Sequence, residues 1–168
     1  CIWGGGRAGF GDGSPEDVLA LMHEYGISAR LTFSNSLLKP EHLADKRCNE
    51  LCRLFDTSSN GIIIHSELLL EYLKNNYPNL YYVSSTTKVI TDFGQFINET
   101  DRDDFRYVLP DFRLNKAFDR LAGLKEKRKV EFLCNECCWF GCRDRKVCYE
   151  NVSRKNLGED VPDHICTA

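Results

Sequence analysis

Six of the chain's nine cysteines, Cys134, Cys137, Cys138, Cys142, Cys148 and Cys166, fall within its final stretch from position 134 to position 168. Thiols this dense need a chemical reason, and three compete. The odd cysteine total, the lack of a signal-peptide pattern and a length of 168 residues argue against a small secreted disulfide framework. A structural zinc site usually shows two Cys-x-x-Cys knuckles across a regular gap. Here one pair, Cys134 and Cys137, is followed by an adjacent thiol and irregular steps. Iron–sulfur ligation tolerates that irregularity, because the thiolates surround a cluster instead of converging on one tetrahedral ion. A [4Fe–4S] cluster is therefore the first expectation and zinc the alternative; disulfides or reduced structural thiols remain as the third reading.

Other chemistry-bearing residues are scattered and must be gathered by the fold. Glu136 lies inside the cysteine run, where it can hold a positively charged substrate or take a proton, or pair with Arg143 or Arg145. His65 follows an apolar run and is placed to act as acid, base or ligand, although a helix-entry or hydrogen-bonded structural histidine is the favoured reading of that place. Gly4-Gly5-Gly6-Arg7-Ala8-Gly9 contains a formal G-x-G-x-x-G, but no strand precedes it and the next helix opens only at Pro15, so a dinucleotide site is rejected. Arg7 remains an anion-contact candidate. The hydroxyl run Ser84-Ser85-Thr86-Thr87 has no adjacent base in sequence, and neither a nucleophile elbow nor H-E-x-x-H occurs.

The elements that must position these groups read as alternating strands and helices. Short β-branched or aromatic runs at 30–33, 61–64, 80–83, 106–109 and 130–133 are expected strands. Between them lie helices with their own start signals: Ser14-Pro15-Glu16-Asp17 with Gly26 as a stop, a second from near Pro40, a third after Ser66, and two more from about Thr91 and Asn115. Cys48 and Cys52, one turn apart on the second helix, read as a buried stripe in preference to an ion site. Repeated βα units predict an α/β fold with parallel strands, either doubly wound or a partial, TIM-like (β/α)8 barrel. In both, chemistry gathers at the carboxyl ends of the strands. Asn35, His65, Ser85, Thr86, Asp111 and Glu136 all fall there and, with Arg7, make up the substrate-binding candidates.

Composition limits the function classes. Hydrophobic residues make up 42% of the chain, enough for one core, and no segment approaches the roughly 20 apolar residues of a membrane span. The expected organisation is one domain, with a βα-repeat portion over 1–133 and a cysteine-rich metal-binding segment over 134–168. A net charge of −3 gives no global attraction for nucleic acid, yet Lys125, Lys127, Arg128, Lys129, Arg143, Arg145, Lys146, Arg154 and Lys155 crowd the C-terminal third. The chain reads as soluble and cytoplasmic. It opens on Cys1-Ile2-Trp3-Gly4 without an initiator methionine, so it is expected to be an excerpt whose barrel further sequence or a partner chain completes.

The segments Gly61-Ile62-Ile63-Ile64, Leu69-Leu70-Glu71-Tyr72-Leu73, Tyr77-Pro78, Ser84-Ser85-Thr86-Thr87 and Val108-Leu109-Pro110-Asp111, followed by Cys137-Cys138 and Cys142, resemble the collagenase-like bacterial peptidase family of uncertain catalytic type. The resemblance covers most of 27–168 and implies an incomplete or modified (β/α) barrel. It also implies, from several members, an iron–sulfur protein supporting oxygen-independent hydroxylation in quinone synthesis or of tRNA and ribosomal RNA. RNA or a small molecule is then the expected substrate. Carried over to this chain, the family's cysteine quartet falls on Cys137, Cys138, Cys142 and Cys166, with Cys134 and Cys148 as substitutes and Cys1 as a further possible ligand. The adjacent pair departs from the wider spacing of the better-known branches and points to a divergent subfamily. Two rival functions remain: a zinc-stabilised, non-catalytic binding domain, and a metal-assisted collagenase-like peptidase.

Overall fold

The computed structural model describes residues 1–4, 13–136 and 138–162. Four parallel strands form one sheet in the order β1-β2-β3-β4: β1 Arg30–Phe33, β2 Gly61–Ile64, β3 Tyr81–Ser84 and β4 Tyr107–Val108. The expected fifth strand at 130–133 reduces to a single parallel bridge between Val108 and Val130. Beyond Glu131 the chain peels off the sheet, and Phe132 is left exposed on the way to Cys134.

Helices connect the strands, and their ends follow local chemistry. α1, Pro15–Glu24, is capped by the Ser14 hydroxyl on the Asp17 amide and stops before Gly26, whose φ of 64° suits glycine. The helix expected from Pro40 begins as one 3-10 turn; the α-helix proper, α2, is Lys46–Phe55, capped by Asp45. α3, Glu67–Asn76, is capped by Ser66, and α4, Phe93–Thr100, by Asp92. The expected Asn115 cap is corrected. Asn115 donates instead to the Leu133 carbonyl, and the short α5, Phe118–Ala122, starts without a side-chain cap. A sixth helix, α6 at Arg145–Asn156, was not among the expected elements.

Register separates two faces of the sheet. Leu31, Phe33, Ile62, Ile64, Tyr82 and Val108 point outward and share one core with Leu51 and Phe55 of α2, Leu69 and Leu73 of α3, and Phe96 of α4. Alternate residues Arg30, Gly61 and Tyr81 form one row on the inner face, and Thr32, Ile63, Val83 and Tyr107 the next. A Cβ on Gly61 would overlap the Tyr81 ring, so glycine makes room for that ring. Arg30 reaches from β1 to the opposite end of the strand order, donating Nη1 and Nη2 to Glu131 at 2.6 and 2.8 Å while Nε donates to the Tyr81 hydroxyl at 2.9 Å. The two margins of the sheet are thereby drawn toward each other.

The N-terminal residues and α6 close over the carboxyl ends of the strands. Trp3 is fully buried, donates its indole N–H to the His42 carbonyl at 2.7 Å and meets Phe33 and Tyr72 edge-on. Asn35, also fully buried, donates to the Ile2 and Ser153 carbonyls, and Ser153 Oγ accepts the Ser36 amide at 3.1 Å. Asn156 donates to the Gly4 carbonyl. Arg145, about 12 Å along α6 from Ser153, sits over the β3 and β4 ends.

Candidate functional site

Of the sequence candidates at the strand ends, Thr86, Asp111 and Glu136 meet around Arg145, whereas Asn35 and the pair His65 and Ser85 belong to separate hydrogen-bonded groups. Asp111, just after β4, is fully buried and accepts from Arg113 Nε at 2.6 Å, Arg113 Nη2 at 3.0 Å and the Arg113 amide at 3.1 Å. Its other neighbour is Arg145, 1% exposed, whose Nε stands 3.4 Å from Asp111 Oδ2 and whose Nη1 stands 2.5 Å from Glu136 Oε2. Both contacts pair opposite charges in the interior. Nη2 donates to Thr86 Oγ1 at 3.3 Å, and Thr86 in turn donates to the Pro110 carbonyl. The guanidinium also lies 4.9 Å from the Phe112 ring centre and 5.2 Å from that of Tyr149. Sequence reasoning offered Arg145 only as one of two partners for Glu136. Its burial had no signal there, because it lies at the start of a helix with no apolar stripe.

Glu136 accepts the Cys138 amide at 3.1 Å. Burial disfavours its charged form, yet Arg145 and that amide together hold its carboxyl below the usual range. Burial likewise pushes the Tyr149 phenol up to about 12, against the pull of Arg145.

His65 and Ser85 belong to a separate hydroxyl chain. His65 Nδ1 is 2.9 Å from Thr87 Oγ1, which donates to Ser85 Oγ at 2.9 Å, and Ser85 Oγ also caps the Thr87 amide. Burial, with help from the Lys88 and Lys146 charges, lowers the His65 imidazole to about 4. It is therefore neutral at physiological pH. Val89, two residues beyond Thr87, has a φ of 52°, a left-handed conformation that β-branched residues rarely adopt and that often marks functional loops.

Cys134 and Cys142 carry free thiols; Cys134 is exposed, and Cys138, Cys142 and Cys148 are partly buried. Arg113 Nη1 donates to the Cys142 carbonyl at 3.0 Å. The hydrogen bonds to Asp111 raise the Arg113 pKa against the opposing effect of burial. Arg7, Cys137 and Cys166 lie outside the described residues. Among the described residues, one group of three metal-capable side chains has its ligand atoms within 4.8 Å of one another: Cys1, Asp45 and Cys48. Cys1 and Cys48 are joined as a disulfide, with their Cα atoms 5.9 Å apart. The stripe expected at Cys48 and Cys52 is buried, but its two members differ: Cys48 is cross-linked and Cys52 is a free core thiol whose pKa burial raises.

As a donor set, thiols on a loop tied to a guanidinium suit a thiolate-held metal, because the positive charge offsets the thiolates. Among the described residues no helix is long and apolar enough to cross a membrane.

No protein-family model matches the chain, and no curated protein matches it. Among solved structures it is similar to one described as the structure of the U32 peptidase Mk0906, with a TM-score of 0.62 at 19% identity. The likeness takes in 88% of this chain but 62% of that one, so this chain spans less than two thirds of the solved protein's length. At that identity the likeness is one of fold, and the fold it shares is a mixed α/β architecture built on a parallel sheet.

Proposed function

We propose that this chain is the cysteine-bearing part of an incomplete (β/α) barrel that holds a thiolate-bound metal centre, with a [4Fe–4S] cluster as the leading form and zinc as the alternative. Its work is oxygen-independent hydroxylation or another modification of RNA or a cofactor, in the cytoplasm. The observation that carries the reading is the tethering of the cysteine loop to the residues after β4: Arg113 donates to the Cys142 carbonyl at 3.0 Å, and Glu136, paired with Arg145, accepts the Cys138 amide at 3.1 Å. Cys137 and Cys166 complete the proposed ligand set, with Cys134 and Cys148 as alternates. A cluster bound there supplies electron transfer. The chain's own residues do the rest: Asp111 fixes Arg113, and Arg145 fixes Glu136 against the Cys138 amide, so the loop carrying the thiols is tied to the strand ends.

RNA is the favoured substrate class. Trp139 and Phe140 are 62% and 55% exposed in the same loop, and Arg143 and Lys146 are exposed beside them, which offers stacking faces and positive charge together.

The test is iron, acid-labile sulfide and zinc analysis on protein purified without oxygen, with its visible spectrum, for the wild type and Cys142→Ser. Iron and sulfide in comparable amounts, reduced in a folded Cys142→Ser protein, support the cluster. Zinc alone overturns it in favour of a zinc-stabilised binding domain, and an unchanged cluster in Cys142→Ser overturns the ligand assignment.

A metal-assisted peptidase is the second reading, favoured by the fold likeness to a solved U32 peptidase. The hydroxyl chain gives it little support. Ser85 is 2% exposed with its oxygen already bonded, and an imidazole lowered to about 4 is a weak base. Chelator-sensitive cleavage of denatured collagen is the measurement that would restore it.

A further inference from the structure

Cys1, Asp45 and Cys48 bring three ligand atoms within 4.8 Å of one another, and nothing in the preceding reading uses them together. Cys48 is fully buried in the first turn of α2, where the helix end favours negative charge. Asp45 caps that turn through Oδ1 on the Cys48 amide at 2.8 Å, and its Oδ2 takes no part in that cap. Cys1 is exposed, so the group has a route in from solvent.

Cys1 does not depend on its sulfur–sulfur bond to stay in place. Its carbonyl accepts the Gly4 amide at 3.1 Å, Ile2 is held by Asn35 at 2.7 Å, and Trp3 is locked in the core. Breaking the disulfide therefore leaves two thiols facing each other across backbones 5.9 Å apart. Around a tetrahedral zinc ion with Zn–S of about 2.3 Å, two sulfurs stand roughly 3.8 Å apart, a separation that side-chain rotation can supply here.

The geometry points to a redox-gated metal site: oxidised, Cys1 and Cys48 form a disulfide; reduced, their sulfurs and the Asp45 carboxylate hold one zinc-like divalent ion. The gating step is an exchange with a dithiol. Two electrons pass to the Cys1–Cys48 bond, the dithiol closes into its own disulfide, and two thiols are released. Binding the ion then displaces a proton from each thiol, and water fills the fourth position.

The experiment titrates cobalt(II), a spectroscopic stand-in for zinc, into the full chain after reduction and removal of the reductant, following the thiolate-to-metal absorption. Wild type, Cys1→Ser, Asp45→Asn and Cys142→Ser are compared, with Trp3 fluorescence as a check on the fold. The wild type is expected to take up one more equivalent than Cys1→Ser, and to lose that same equivalent on oxidation to the disulfide. Asparagine still caps α2, so Asp45→Asn folds and binds this equivalent at least about tenfold more weakly. Equal uptake by wild type and Cys1→Ser, or unchanged affinity in Asp45→Asn, overturns the site. Cys142→Ser keeps this equivalent, so failure of the C-terminal centre and failure of this one are read separately.

Discussion

Replacing Arg145 with methionine removes a charge that faces both Asp111 and Glu136. Arg145 is 1% exposed, Asp111 is fully buried, and the Glu136 side chain is 9% exposed, so the pairing is an interior one. Deleting one partner of such a pair costs about 3–5 kcal/mol, because charge is left buried without its counterpart. Two features set the expectation at the lower end. Asp111 keeps its hydrogen bonds from Arg113, and Glu136 keeps the Cys138 amide. A loss of about 3 kcal/mol is expected at pH 7, which for a chain of this size lowers Tm by roughly 6–12 °C.

The pH dependence carries the sharper test. In the wild type the folded Glu136 carboxyl is depressed, so its contribution is present above the unfolded value of about 4.3 and lost as pH falls through the lower folded value. Without Arg145, burial and Asp111 raise the same carboxyl above its unfolded value, and protonation relieves it. The difference between variant and wild type must then shrink from pH 7 toward pH 5. Urea denaturation followed by circular dichroism at the two pH values measures it. A loss below about 1 kcal/mol at pH 7, or an equal loss at both, would refute the interior ion pair as the tie between the cysteine loop and the strand ends.

His65 and Gly61 give two further tests. The folded His65 imidazole is lowered to about 4 against an ordinary 6.5, so the unfolded chain takes up this proton first as pH falls. Stability is lost between those two values by up to about 3.5 kcal/mol, and an NMR titration of the His65 ring with a midpoint above 6 would contradict the burial described. Gly61→Ala should cost about 1–3 kcal/mol by forcing the Tyr81 ring aside. In a Tyr81→Ala background most of that penalty should vanish, and additive losses in the cycle would count against Tyr81 as the obstacle.

Legibility in the sequence followed the kind of force at work. The run Gly61–Ile64 was readable as a strand because β-branched residues, buried on the outer face and half-buried on the inner, leave a continuous apolar segment. Ser14 and Ser66 were readable as caps because capping is a matter of a few adjacent residues. α6 was not readable. Its anchors are Arg145, Ser153 and Asn156, polar residues that periodicity assigns to solvent, and its apolar side chains do not recur on one face. The Cys1–Cys48 pairing spans 47 positions, so no local pattern announces it.

The same distinction bears on where chemistry can occur. A polar residue at a strand end looks alike in sequence whether it meets a ligand or a helix, and here Asn35, Thr86 and Asp111 are committed to Ser153, Arg145 and Arg113. The carboxyl ends of the strands are consequently roofed by α6 and the N-terminal segment. What faces outward from that roof is the loop bearing Trp139, Phe140 and Arg143, with the exposed thiol of Cys134 nearby in sequence. On the proposed reading the strand ends serve as the rigid base of a centre built from the loop above them, and the Arg113 and Arg145 ion pairs carry that rigidity from sheet to loop. Substrate would then meet the protein at the loop, a large and accessible target such as RNA suiting that position better than a small molecule that needs an enclosed pocket.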